Sequence, residues 1–134
     1  MAFQWLQLRM SEEKERRERE RQVLARLPSA IDEVEAGLRE CVAACAAAFG
    51  DAAELRRKGL DLAVTGEGGS VEVVAVLELP GLEIRRDGSA RQIQVGMLPG
   101  DRVFYLDLMS DQYLSMDELT RLILDRVLFP KLKE

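Results

Sequence analysis

Alternating apolar and polar residues dominate the middle of the chain, from Val71 to Leu108. Successive strand residues point to opposite faces of a sheet, so this alternation predicts strands with one buried face. A shorter alternating segment, Leu60–Val64, precedes it. Turn signals divide the stretch at Pro80-Gly81, Asp87-Gly88 and Pro99-Gly100. The pattern predicts an antiparallel meander of about four or five strands over about residues 60–109.

The Asp87-Gly88 turn sets the predicted register, because Asp-Gly is a strong signal for a two-residue type I′ turn. Such a turn pairs Arg86 with Ser89, Ile84 with Arg91 and Leu82 with Ile93. If the two Pro-Gly pairs also form two-residue turns, Pro80-Gly81 places Leu77 opposite Ile84. Pro99-Gly100 places Val95 opposite Phe104 and Ile93 opposite Leu106. The predicted inner face then holds Leu77, Leu82, Ile84, Ile93, Val95, Phe104 and Leu106. The predicted outer face carries Val74, Val76, Val103, Tyr105 and Asp107.

Apolar residues at helical spacing flank the strands on both sides. Ser29 can cap a helix over residues 29–49, and Ser115 with Glu118 gives a capping-box pattern for a helix over residues 116–128. Pro28 separates the first of these from a charged helix over about residues 11–27, which lacks an apolar stripe. We expect helices 29–49 and 116–128 on one face of the sheet. The predicted fold is therefore α+β, with residues 1–27 as an N-terminal segment and residues 28–134 as a single domain.

Local composition predicts the remaining segments. The alanine-rich run Cys41–Phe49 should be the most deeply packed part of its helix, because small side chains allow another backbone to come close. Residues 52–58 are expected to continue as a short helix. Gly66–Gly69 is expected to form a flexible hairpin loop, and residues 109–115 another loop.

Charge is distributed unevenly along the chain. Residues 1–26 carry seven Lys/Arg and five Asp/Glu, 7 − 5 = +2, and residues 27–134 carry twelve and nineteen, 12 − 19 = −7. The acidic remainder argues against a nucleic-acid surface, which needs a concentrated positive patch. No apolar run approaches the ~20 residues of a membrane span. The first ten residues are too short and too polar for a secretory signal, so we expect a cytoplasmic protein with no membrane partner.

The residues that are missing exclude several chemistries. The sequence has no histidine, which removes Ser-His and Cys-His nucleophile pairs and every zinc site with an imidazole ligand. Its two cysteines, Cys41 and Cys45, are four residues apart on a predicted helix and do not form a C-x-x-C pair. We expect no cofactor and no metal. A non-enzymatic role is favoured, because the sequence contains no recognisable catalytic motif.

Five residues are candidates for binding. Arg85, Arg86 and Arg91 cluster around the Asp87-Gly88 turn and could hold an anionic group; solvated arginines at a hairpin tip are the alternative interpretation. Tyr105 would contribute to an apolar patch on the outer face, covered by the N-terminal segment or by an interface. Trp5 lies in an apolar terminus that we expect to dock on the body of the protein or on a second copy.

Two classes of function fit this sequence. The first is a small acidic, non-catalytic interaction or assembly module that binds another protein or itself, as a homodimer. The alternative is a small-ligand-binding protein, or a weakly marked enzyme, with a pocket between the sheet and the helices. A light-scattering mass of one chain would count against the first class, and an interior without a cavity of ligand size would count against the second.

Overall fold

A computed structural model describes residues 2–50 and 53–132. Within them the chain forms a long helix, a run of strands and a second helix. The strands make one antiparallel sheet in which each strand pairs with its neighbours along the chain. The α+β class, the antiparallel meander and the packing of helices on one face are confirmed. The elements are α1 (Gln4–Phe49), β1 (Glu54–Lys58), β2 (Asp61–Gly66), β3 (Gly69–Val76), β4 (Gly81–Arg86), β5 (Ser89–Leu98), β6 (Arg102–Asp107), β7 (Gln112–Leu114) and α2 (Met116–Leu128).

The described sheet has seven strands, where about four or five were expected. β1 occupies residues that were predicted to be helical; Ala52, the first residue of that prediction, lies outside the described residues. Gly59, at φ 64°, allows the tight turn that brings Lys58 opposite Asp61. At the other edge, β7 forms within the predicted loop 109–115 and places Leu114 opposite Tyr105.

The β4–β5 hairpin has the predicted register. Arg86 pairs with Ser89, Ile84 with Arg91 and Leu82 with Ile93. Asp87 and Gly88 both have positive φ, 49° and 79°, as a type I′ turn requires. This hairpin fixes the inner face of the sheet, because Leu82, Ile84 and Ile93 are all buried.

The register of β6 differs from the prediction by one residue. Ile93 opposes Asp107 and Val95 opposes Tyr105. Leu98 pairs with Arg102, so Pro99, Gly100 and Asp101 form a three-residue loop, and a loop one residue longer reverses the alternation of the next strand. The predicted outer-face positions Val103, Tyr105 and Asp107 therefore lie on the inner face, and the predicted inner-face positions Phe104 and Leu106 on the outer face.

Leu77 also departs from the prediction. β3 ends at Val76, which pairs with Gly81, so Leu77 lies in the connecting loop and is 54% exposed. Val73 occupies the position opposite Ile84 that was predicted for Leu77. The loop holds an even number of residues, so the alternation is preserved and Val74 and Val76 keep their predicted outer-face positions.

α1 is one continuous helix, although Pro28 was predicted to separate two. Proline in a helix interior removes one backbone hydrogen bond, but Pro28 lies on the exposed side, and the buried Leu27 and Ile31 hold both flanking turns against the sheet. The buried positions of α1 run from Val23 to Leu38. The prediction that Cys41–Phe49 is the most deeply packed part is therefore wrong, since Phe49 is 65% exposed.

α2 has the predicted bounds and the predicted start. The Ser115 hydroxyl accepts a hydrogen bond from the Glu118 backbone N–H, and the Glu118 carboxylate accepts one from the Ser115 N–H, which completes the capping box. The Gly66–Gly69 loop packs against the other end of α2. Its Gly68 N–H donates to the Val127 carbonyl at 3.0 Å, so this loop is docked, contrary to the expected flexible loop.

Candidate functional site

A cleft of about 640 Å³ lies between α2 and the inner face of the sheet at the β4–β7 side. Ile84, Leu114 and Leu122 form its apolar part. Its polar lining includes Arg86, Arg91, Asp107, Glu118, Arg121, Asp125 and Arg126. Two of the arginines from the Asp87-Gly88 turn are thus brought together with carboxylates that are distant in sequence. This cleft corresponds in position to the pocket between sheet and helices that the alternative function requires.

Asp107 and Arg91 form an ion pair in this cleft. Asp107 is 1% exposed, and Arg91 donates to both of its carboxylate oxygens through Nε, at 3.1 Å each, and to Oδ2 through Nη2. The Ser110 hydroxyl and the Met109 N–H complete the shell of donors at 2.8 and 3.1 Å. Arg91 is the main cause that lowers the pKa of the Asp107 carboxyl below its usual value. Asp107 therefore neutralises Arg91.

Arg86 has a different environment. It is half-buried, and its Nη2 donates to the carbonyl of Ile123 in α2. Its Nε is buried without a hydrogen-bond partner. Burial lowers the pKa of the Arg86 guanidinium, and repulsion from Arg126 lowers it further, while attraction to Asp87 and Asp125 partly opposes the shift. Arg86 is therefore a partly desolvated cation without a carboxylate in ion-pair contact among the described residues.

Arg85 points away from this cleft, because neighbouring strand residues face opposite sides of the sheet. Its Nε donates to the Glu83 carboxylate at 2.6 Å on the outer face, and Glu83 raises the pKa of the Arg85 guanidinium. The three-arginine cluster predicted from the sequence is thus divided, with Arg86 and Arg91 inside and Arg85 outside.

Tyr105 is part of the core. It is 4% exposed, and its hydroxyl donates to the Ala30 carbonyl of α1 at 3.4 Å. Burial raises the pKa of this hydroxyl. The predicted outer-face role of Tyr105 is wrong, because the β6 register turns the residue inward. Phe104 takes that place on the outer face, where its ring contacts Tyr113 edge-to-face at 5.3 Å.

Trp5 lies near the start of α1, far from both faces of the sheet. Residues Gln4–Gln22, which we call the arm, contain no buried residue and extend for about 28 Å. Ion pairs between successive turns, such as Arg17–Glu13 at 2.7 Å, cover its middle. The first residues of the arm, together with Phe3 before them, are apolar and exposed, and we call Phe3–Met10 the tip. Five large apolar side chains of the tip are between 38% and 66% exposed: Phe3, Trp5, Leu6, Leu8 and Met10.

An apolar groove of about 470 Å³ runs between the C-terminal part of α1 and α2. We call it the α1–α2 groove. Its α1 side consists of small residues, Cys41, Ala44, Cys45 and Ala48, and its α2 side of Leu124 and Leu128. The rings of Phe49 and Phe129 meet edge-to-face at its end, with 6.4 Å between centroids. The groove explains why the Cys41–Phe49 run is apolar but only partly buried.

Among residues 2–50 and 53–132, no group of three or more cysteine and carboxylate side chains is placed to hold a metal ion. Neither described helix contains an apolar stretch of the length needed to span a bilayer.

Comparison with family models, with curated proteins and with solved structures found no match for this chain. Its function is therefore inferred from its own surfaces. Sequence reasoning missed Asp107, Ser110 and Arg126 as cleft residues. For Asp107 the signal was the length of the loop before β6, because the three residues Pro99, Gly100 and Asp101 turn Asp107 to the inner face.

Proposed function

We propose that this protein is a small non-catalytic assembly module that forms a homodimer through its arm. The exposed tip of the arm carries the proposal. Five large apolar side chains, Phe3 to Met10, lie at the end of a charged helix segment and touch no part of the core. Exposed apolar patches of this kind mark sites of association.

The tip is apolar on more than one side. Trp5 precedes Val23 by 18 residues, about five turns, so it faces the side of α1 that packs on the body. Met10 is in phase with Pro28, which is exposed. A helix with apolar residues on more than one side is suited to burial on several sides. Its partner surface is therefore a groove, as in helix-in-groove recognition.

The α1–α2 groove of a second copy has suitable dimensions and chemistry for the tip. The tip spans eight residues, and the α1 side of the groove with Phe49 at its end spans nine, about 12 and 13 Å of helix respectively. The small side chains of Cys41, Ala44 and Ala48 allow close approach of another helix. The arm carries six Lys/Arg and five Asp/Glu, 6 − 5 = +1, and residues 27–134 carry 12 − 19 = −7, so the arm and a second body attract each other.

In an antiparallel pair of α1 helices, each tip fills the α1–α2 groove of the other copy. α1 runs from Gln4 to Phe49, so its midpoint lies near Arg26. A two-fold axis at that midpoint brings each tip beside residues 41–49 of the other copy. Such an isologous arrangement closes at two subunits and leaves no unpaired tip. We place this dimer in the cytoplasm, since Cys41 and Cys45 are partly exposed free thiols, which persist in a reducing compartment.

Light scattering on the full chain tests the proposal. We expect a mass twice that of the 15.1 kDa chain at micromolar concentration. The double variant Trp5→Gln/Leu8→Gln should have the mass of one chain, as should Ala44→Glu, which places a charge in the groove. The matched control is Leu77→Gln/Leu98→Gln, which changes two residues of similar exposure, 54% and 46%, outside the arm.

The control variant should remain dimeric. A wild-type mass of one chain overturns the proposal, and so does a dimer that the arm variant leaves intact. Circular dichroism of the arm variant separates dissociation from unfolding, because the substituted side chains contribute nothing to the core.

A further inference from the structure

The cleft between the sheet and α2 contains an imbalance of charge. Arg91 is neutralised by Asp107, and Arg121 faces Asp125 at 3.9 Å. Glu118 is held by the Ser115 N–H in the first turn of α2, about 12 Å of helix away from Arg126. Arg86 and Arg126 line the same cleft and form no ion pair among the described residues, although Asp87 and Asp125 lie near enough to Arg86 to attract it. Half-buried charges in proteins are normally paired, but Arg86 has no carboxylate in ion-pair contact and its Nε is buried without a hydrogen-bond partner. With the exposed Arg126 in the same cleft, Arg86 identifies a place for an anion.

We propose that the cleft binds a small phosphate monoester, with its phosphate against Arg86 and Arg126 and its organic part against Leu114 and Leu122. Two guanidinium groups without ion-pair partners match the near-double negative charge of a phosphate better than a single carboxylate. Their planar donor groups suit the oxygens of a phosphate. The proposal concerns a different surface from the arm and does not depend on dimerisation.

The walls of the cleft favour an organic phosphate over the free ion. Leu114 and Leu122 line it together with Ile84, and its volume of about 640 Å³ is within the range of small-molecule sites. Apolar walls beside a fixed charge bind ligands that have both features. Inorganic phosphate would use only the two arginines.

Arg85 supplies a matched control for Arg86. The two residues are adjacent, carry the same charge and belong to the same strand, but Arg85 lies on the outer face with Glu83. Replacing either arginine by glutamine changes the net charge equally, so a general effect of charge on phosphate binding would be the same in both variants. Only binding in the cleft would make the Arg86 variant weaker than the Arg85 variant.

Calorimetric titration of the full chain with phenyl phosphate and with inorganic phosphate, at constant ionic strength, tests the proposal. We expect saturable binding of phenyl phosphate, and weaker binding of inorganic phosphate. Arg86→Gln should weaken phenyl phosphate binding about tenfold or more, as expected for loss of a charge-assisted hydrogen-bond donor, and Arg85→Gln by less than about twofold. Arg126→Gln, at an exposed position, should also weaken binding.

The Arg126 variant keeps the proposal testable if Arg86→Gln fails to fold, because Arg86 also bonds to the Ile123 carbonyl. Absence of saturable binding overturns the proposal. Equal losses in the Arg85 and Arg86 variants overturn it as well, and so does a wild-type affinity in Arg126→Gln. Trp5→Gln/Leu8→Gln should bind phenyl phosphate like the wild type, which separates this result from that of the dimer.

Discussion

The carboxylate of Asp107 and the guanidinium of Arg91 form an ion pair on the inner face of the sheet, where the backbone alone would predict apolar residues. Asp107 opposes Ile93 and is almost completely buried. A buried carboxylate is tolerated when its oxygens are filled by donors, and here Arg91, Ser110 and Met109 supply them. The pair connects β5, β6 and the loop that leads to β7.

Asp107→Asn should reduce the free energy of unfolding by about 2–3 kcal/mol at pH 7, because it leaves Arg91 without its partner. The pKa of Asp107 is lowered in the folded protein, so its contribution is present above the unfolded value of about 3.9 and is lost as the pH falls through the folded value. The difference between wild type and variant should therefore shrink in acid. Urea unfolding at pH 7 and below pH 3 measures it.

Asp101→Asn is the control for that comparison. It removes the same formal charge at an exposed turn position with φ 61°, which asparagine also tolerates. Its stability should follow the wild type at both pH values. An equal loss in the two variants would show that net charge, and not the ion pair, controls the acid response.

The ring of Phe104 occupies the space that a side chain at residue 96 would need on the outer face of the sheet. A Cβ at residue 96 would lie 2.1 Å from Phe104 Cζ, and the edge-to-face contact with Tyr113 restricts the ring. Gly96→Ala should lower the free energy of unfolding by about 1–3 kcal/mol. In a Phe104→Ala background the same substitution should cost less than about 0.5 kcal/mol. Chemical denaturation of the wild type, the two single variants and the double variant measures both costs. Equal costs of Gly96→Ala in the two backgrounds would contradict the contact.

Replacing Pro28 should stabilise the protein. Pro28→Ala restores an N–H to the interior of α1 at an exposed position, and should raise the free energy of unfolding by about 2 kcal/mol after allowance for the less restricted unfolded chain. Ser29→Ala, at the exposed neighbouring position, should change it by about 0.5 kcal/mol or less. Thermal unfolding distinguishes them, and a decrease on Pro28→Ala would mean that α1 depends on its proline.

Gly68 holds the β2–β3 hairpin against the C-terminal end of α2. A Cβ there would lie 1.8 Å from the Arg126 carbonyl oxygen, so Gly68→Ala must displace the hairpin and lose the hydrogen bond to Val127. We expect a loss of about 1–3 kcal/mol, with faster amide exchange in the last turn of α2. Glu67→Ala removes only an exposed contact to Lys131 and should cost less than about 1 kcal/mol. Unchanged exchange in Gly68→Ala would contradict the docked loop.

The sequence predicted the parts of the fold where one local signal had one geometric outcome. Asp87-Gly88 specified a two-residue turn, and the hairpin register followed from it. Ser115 and Glu118 specified the start of α2. β6 lacked such a signal, because Val103 and Tyr105 on one face and Phe104 and Leu106 on the other are all apolar. Either register buries apolar residues, so only the loop length distinguishes them, and Pro99-Gly100 fits more than one loop length.

The candidate cleft was predictable only in part for the same reason. The proximity of Arg86 and Arg91 follows from the hairpin, and so does the separation of Arg85 once the faces are assigned. Asp107 was assigned to the wrong face together with Tyr105. Arg126 comes from α2, and its position beside Arg86 depends on how the helix packs on the sheet, which spacing along the chain does not specify.

The continuity of α1 through Pro28 makes the arm a rigid spacer in place of a flexible tether. A tether would set only the range of distances that the tip can sample. A helix sets direction as well, because each inserted residue advances the tip by about 1.5 Å and rotates it by about 100° about the helix axis. Two chains of this protein that differed by one residue in the arm would present different sides of Trp5 to the same partner. The length of the charged segment thus encodes an angle as well as a distance.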